Sequence, residues 1–152
     1  MSSTDRSSGS GRFWIAAAVW TVLLHYVWEM GQSRFFADMA NMPLLRHALV
    51  CFVASLADLA IAVAAYAATV VLLRRQWPLR RGWWWPAALW MTISMAFGVA
   101  IERWALASGR WTYTASMPTL WGVGLLPLIQ WIIVPAATLL VLQIKPSRRG
   151  GG

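Results

Sequence analysis

Four long apolar runs separated by short polar joints organise the chain. They cover about residues 13–32, 48–73, 84–106 and 120–144. Each reaches the roughly 20 helical residues that a hydrocarbon core requires, and the second is long enough to tilt. Short joints make successive spans antiparallel neighbours, so the pattern predicts an all-α, up-down bundle of four transmembrane helices in one domain. Residues 1–12, rich in Ser and Gly, read as a disordered tail, and residues 145–152 as a basic tail. No repeat is visible beyond the alternation of spans and joints. The first run contains His25 and Glu29 and is followed by no small-residue cleavage site. It therefore reads as a retained anchor and not as a signal peptide.

Composition agrees with the pattern and adds a direction. The 152 residues are 59% hydrophobic and 12% charged, with mean hydropathy +0.56. A soluble domain carries about 25% charged residues, so an ordinary water-soluble globule is excluded. The net charge of +8 comes from bases at the helix ends, which suits anionic lipid headgroups and not nucleic acid. Arg6, Arg12, Arg74, Arg75, Arg80, Arg81, Lys145, Arg148 and Arg149 lie on one side, and Arg34, Arg46, Arg103 and Arg110 on the other. The positive-inside rule then places both termini in the cytoplasm. Trp83, Trp84 and Trp85, directly after Arg80 and Arg81, read as an interfacial aromatic belt. Arg outnumbers Lys twelve to one, a usage that points to a bacterial gene and so to an inner-membrane protein. The single cysteine, Cys51, excludes an intrachain disulfide or a thiolate metal cage.

Within so apolar a chain the polar residues define the candidate site. Glu29, Asp58 and Glu102 fall inside predicted spans, where a carboxylate is costly and usually faces the bundle interior. At 1.5 Å per residue, Glu29 and Glu102 sit within about 5 Å of the outer ends of their helices, and Asp58 and Gln130 about 15 Å deep. His25 lies between these levels and His47 marks the outer mouth. His25, Glu29 and Gln32 share one helical face, as do His47, Cys51, Ser55 and Asp58. These groups predict a polar funnel that opens outward and ends near mid-membrane. Gly98, Gly122 and Gly124 read as sites of close helix approach.

Chemistry follows from residue types. No nucleophile context surrounds Ser55, and no paired metal-ligand motif is present, so neither a metal nor another cofactor is expected. Carboxyls in an apolar interior suit acid–base work. Trp28, Trp104 and Trp131, if inward, would stabilise a carbocation through their rings. The combination suits isomerising or cyclising an isoprenoid or sterol-like lipid, with His25, Glu29, Asp58 and Glu102 as reacting groups. Gln32, His47, Arg110, Trp111, Tyr113, Gln130 and Trp131 would bind the substrate.

Two resemblances bear on this. Leu24-His25-Tyr26-Val27-Trp28-Glu29 and Gln130-Trp131-Ile132-Ile133-Val134-Pro135 resemble motifs of the emopamil-binding-protein-like (EXPERA) membrane family, with Gln where that family has Asn. The resemblance implies a helical bundle holding sterols or amphipathic amines, with His25 and Glu29 as proton donors or cation stabilisers and Gln130 and Trp131 lining the cavity. The chain more broadly resembles a group of small bacterial four-helix integral membrane proteins. The residues that carry this are Trp28-Glu29-Met30 with Gln32, Ala57-Asp58, Glu102, Gly109-Arg110-Trp111-Thr112-Tyr113, Met117-Pro118, and Pro127 with Gln130-Trp131. That second resemblance implies the fold and no activity.

Three readings stay open at this point. One is a binding protein or enzyme for a hydrophobic small molecule drawn from membrane lipid. The second is a proton-coupled transporter acting as a homo-oligomer. The third is a non-catalytic subunit or assembly factor of a membrane complex. The joint from Gly109 to Pro118 reads as an ordered interfacial turn, with a lid over the funnel as the other reading.

Overall fold

The computed structural model describes residues 3–74 and 84–144. Four helices dominate: α1 (Ser3–Gln32), α2 (Leu44–Leu73), α3 (Trp84–Ala107) and α4 (Leu125–Ile144). All four are long and apolar enough to cross a membrane, and the chain is a multi-pass integral membrane protein. α1 packs on α2 and α4, and α3 packs on α2 and α4, so the helices form a closed ring. Arg75, Arg80, Arg81, Trp83, Lys145, Arg148 and Arg149, which carry most of the orientation argument, lie outside the described residues.

Two helix starts differ from the apolar pattern. α1 begins at Ser3, inside the stretch whose composition reads as a disordered tail. Extending an existing helix costs far less than nucleating one, so an apolar helix can carry polar residues along at its end. α4 begins at Leu125, not near residue 120. The preceding residues form a hairpin instead, with β1 (Thr119–Leu120) antiparallel to β2 (Val123–Gly124). Trp121 and Gly122 join the strands with φ of 52° and 78°, the left-handed pair that a two-residue type I′ turn requires. Gly122 therefore makes a turn and does not serve helix packing.

Small residues set the helix spacing. A Cβ at Gly98 on α3 would collide with the Trp131 indole of α4, so glycine is what admits that ring between the two helices. Toward the end opposite the hairpin, Ala62, Ala65 and Trp90 form the apolar core of α2 and α3. The Trp90 indole donates there to the Ala62 carbonyl at 2.9 Å. Tyr66, Ala87, Met91, Ile93 and Leu139 pack against this core.

The outer end is covered by two joints that pair with each other. Two short 3-10 turns, Ser33–Phe35 and Ala37–Met39, follow α1. The Ala37 amide donates to the Thr112 carbonyl and the Thr114 amide to the Phe35 carbonyl, both at 2.9 Å. Asp38 accepts from the Thr112 amide at 3.1 Å. The expected outward funnel is therefore capped by backbone pairing.

Candidate functional site

α1, α2 and α4 bring His25, Glu29 and Asp58 onto the side-chain amide of Gln130. Glu29 and Gln130, expected about 10 Å apart in depth, thus meet at one level because α4 begins only at Leu125. Gln130, 3% exposed, sits at the centre. Its Nε2 lies 2.8 Å from His25 Nδ1, 3.0 Å from Glu29 Oε1 and 2.9 Å from Asp58 Oδ2. His25 Nδ1 is 3.1 Å from Asp58 Oδ2. An amide NH2 has two hydrogens, so it cannot donate to three acceptors together. The count balances when Nδ1–H of His25 donates to Asp58 and Gln130 donates to Glu29 and Asp58.

Gln32 completes the shell around Glu29. Its Nε2 donates to Glu29 Oε1 at 2.8 Å and to Gln130 Oε1 at 3.1 Å. Its Oε1 accepts from the Trp28 indole at 3.0 Å. The i, i+3 and i+4 spacing of Trp28, Glu29 and Gln32 on one helix makes these bonds local. Asp58 and Gln130 arrive from other helices. His25 is 1% exposed, stands 5.3 Å from the Trp131 ring and leaves its buried Nε2 without a hydrogen-bond partner. Two carboxyls and one imidazole thus share a nearly dry site, and among the described residues neither acid pairs with Arg or Lys.

Glu102 takes its hydrogen bonds from a different set of groups. It accepts a close hydrogen bond from the Tyr113 hydroxyl and one from the Trp111 indole at 3.2 Å. The Tyr113 oxygen in turn accepts from the Gly124 amide at 2.8 Å. Glu102 therefore joins α3 to the hairpin and the outer joint. Burial and the neighbouring Glu102 push the Tyr113 hydroxyl well above the ordinary tyrosine range, so it stays a neutral donor. Glu102 bonds to none of His25, Glu29, Asp58 or Gln130 among the described residues.

Other expected groups fall elsewhere. Trp104 is 54% exposed and carries the Arg110 guanidinium 4.7 Å above its ring; both point away from the cluster. His47 is half-buried near the start of α2 and no hydrogen bond joins it to Gln130. Its Nε2 is buried and unpartnered. The Ser55 hydroxyl is spent on the Cys51 carbonyl at 2.7 Å, which removes it as a nucleophile. Among the described residues no group of three or more His, Cys, Asp or Glu is placed to hold a metal ion.

A groove of about 330 Å³ runs between α1 and α4, walled by Leu24, Val27, Trp28, Ile133, Val134 and Ala137 and closed outward by Gly31, Gln32, Arg34 and Phe35. Val27 and Ile133 are exposed at its rim, so it opens sideways. The pattern of apolar positions gave no sign of it, because it arises from how two helices pack. Gln32 belongs both to its wall and to the shell of Glu29.

No family model, curated protein or solved structure matches the chain.

Proposed function

We propose that the bundle takes an isoprenoid- or sterol-like lipid from the membrane through the α1/α4 groove and shifts a double bond in it by proton transfer. One carboxyl of the cluster gives a proton to an alkene carbon, forming a carbocation. A second group, carboxylate or imidazole, removes a proton from the adjoining carbon and restores the double bond one position along. No net oxidation occurs and the cluster ends with the protons it began with. Trp28 at the groove wall and Trp131 beside His25 offer ring faces to the cation. The observation that carries this reading is the double role of Gln32, which lines the apolar groove and hydrogen-bonds to Glu29 and Gln130 of the buried cluster.

The resemblance of the His25-to-Glu29 and Gln130-to-Pro135 segments to sterol-handling proteins supports the same class. Transport along the bundle axis fits less well, since Ala62, Ala65 and Trp90 form a packed apolar core. The test is untargeted mass spectrometry of non-polar lipids from cells expressing wild type, Glu29→Gln or Asp58→Asn at matched levels. A lipid isomer that shifts with wild type alone is the expected result. Identical lipid profiles in all three would overturn the proposal.

A further inference from the structure

Arg34 ends the first span at the outer mouth of the groove and is exposed there. Its guanidinium lies 4.9 Å over the ring of Phe35, which also lines the groove. That stacking holds a long side chain at the rim and lowers the ordering cost of a contact made there. Among the described residues Arg34 pairs with no carboxylate. Asp38, the nearest acid in sequence, accepts instead from the Thr112 amide, and Glu29 is bonded by Gln32 and Gln130. The groove is otherwise apolar apart from Gln32. An unpaired, pre-positioned cation at the interfacial end of an apolar lateral groove is complementary to one kind of molecule: a single hydrocarbon chain with an anionic head.

We infer that the α1/α4 groove binds a lipid carrying a phosphate-type headgroup, with the headgroup on Arg34 and its chain along Val27, Ile133 and Ala137. This deepens the proposed function, on which it rests for the chain class: the substrate is an isoprenoid phosphate and not a neutral sterol or alcohol. Guanidinium and phosphate suit each other through paired charge-assisted hydrogen bonds, and the position of Arg34 fixes how far the chain can reach toward Gln32.

Gly31 supplies a clean block of the groove. A Cβ added there meets nothing within 4 Å, so Gly31→Leu is expected to set a bulky side chain at the groove wall, and leucine is the better helix former. The full-length protein, purified in a zwitterionic detergent, would be incubated with farnesyl phosphate, farnesol or inorganic phosphate, and retained ligand measured by mass spectrometry. Wild type is expected to hold farnesyl phosphate at least about tenfold more tightly than farnesol, and inorganic phosphate not measurably. Arg34→Gln should lose that tenfold and Arg34→Lys should recover part of it, while Gly31→Leu should lose binding with Arg34 intact. Equal retention of farnesol and farnesyl phosphate, or undiminished binding by Arg34→Gln or Gly31→Leu, would overturn the inference. Binding of inorganic phosphate as tight as that of farnesyl phosphate would also overturn it, since the site would then be a bare anion site. The two proposals fail separately. Farnesol bound as well as its phosphate leaves the lipid-isomer test standing, whereas Arg34-dependent binding without any isomer shift overturns only the reaction.

Discussion

Two buried carboxyl sites occupy the outer half of this bundle, and they are built in opposite ways. Glu102 faces two fixed donors, the Tyr113 hydroxyl and the Trp111 indole, both delivered by the joint between α3 and the hairpin. Glu29 and Asp58 share the Gln130 amide of α4, and Asp58 also meets the His25 imidazole of α1, in a set with more acceptors than the Gln130 amide has hydrogens. The first arrangement clamps a loop. The second gathers side chains from three helices around one amide. An acid at membrane depth is thus insufficient to mark reactive chemistry; what it is bonded to decides.

Removing the shared amide should cost most. Gln130→Leu leaves Glu29 and Asp58 short of donors in a dry site, at about 1–3 kcal/mol for each unmet partner. Thermal unfolding in detergent should show a clear loss, and the lipid shift proposed above should vanish. A Gln130→Leu protein as stable as wild type would show that the amide does not hold the cluster together. Glu102→Leu strands two donors at a partly exposed edge and should cost less, about 1–2 kcal/mol. Its mark should be limited proteolysis within residues 108–118, while the lipid activity stays. Loss of the lipid activity with the joints still protected would merge the two sites into one.

Smaller effects sharpen the contrast. Tyr113→Phe removes one hydroxyl and should cost about 1 kcal/mol. Because the folded Tyr113 hydroxyl titrates above its unfolded value, the stability it lends is complete below the ordinary tyrosine range near pH 10 and declines as pH rises beyond it. Subtracting the absorbance titration of Tyr113→Phe from that of wild type should isolate a tyrosine that ionises late; a component with an ordinary midpoint would contradict the Glu102 contact. Ser55→Ala should do least, within about 0.5 kcal/mol, since the hydroxyl serves only its own helix. A large loss of activity there would add Ser55 to the reacting groups.

Much of this was legible from the chain and some could not be. The spans follow from apolar length, and Glu29, Asp58, His25 and Gln130 stand out because polar groups are costly at that depth. Helical spacing placed His25, Glu29 and Gln32 on one face, as observed. The separation of Glu102 from them was hidden, because its depth matches that of Glu29 while its partners come from a loop. The hairpin was hidden by its composition: Leu120, Trp121 and Val123 continue the apolar run of α4, and two-residue strands carry too little alternation to read. Pairing between residues 35–37 and 112–114 joins segments far apart in sequence, beyond the reach of local patterns. Arg34 looked like an ordinary interfacial base until the groove beneath it was visible.

The order in which the helices are made bears on the central amide. His25 and Asp58 lie on α1 and α2, so their pairing is available once half of the bundle has entered the membrane. Gln130 lies on α4, synthesised after α1, α2 and α3. Until it arrives, Glu29 has no partner from another helix, and the ring of helices stays open on the side where the groove will form. Closure of the ring and completion of the acid cluster are then one event in the birth of the protein. A chain stopped before α4 would present a half-satisfied acid to lipid and give the cell's quality control a direct signal of incompleteness.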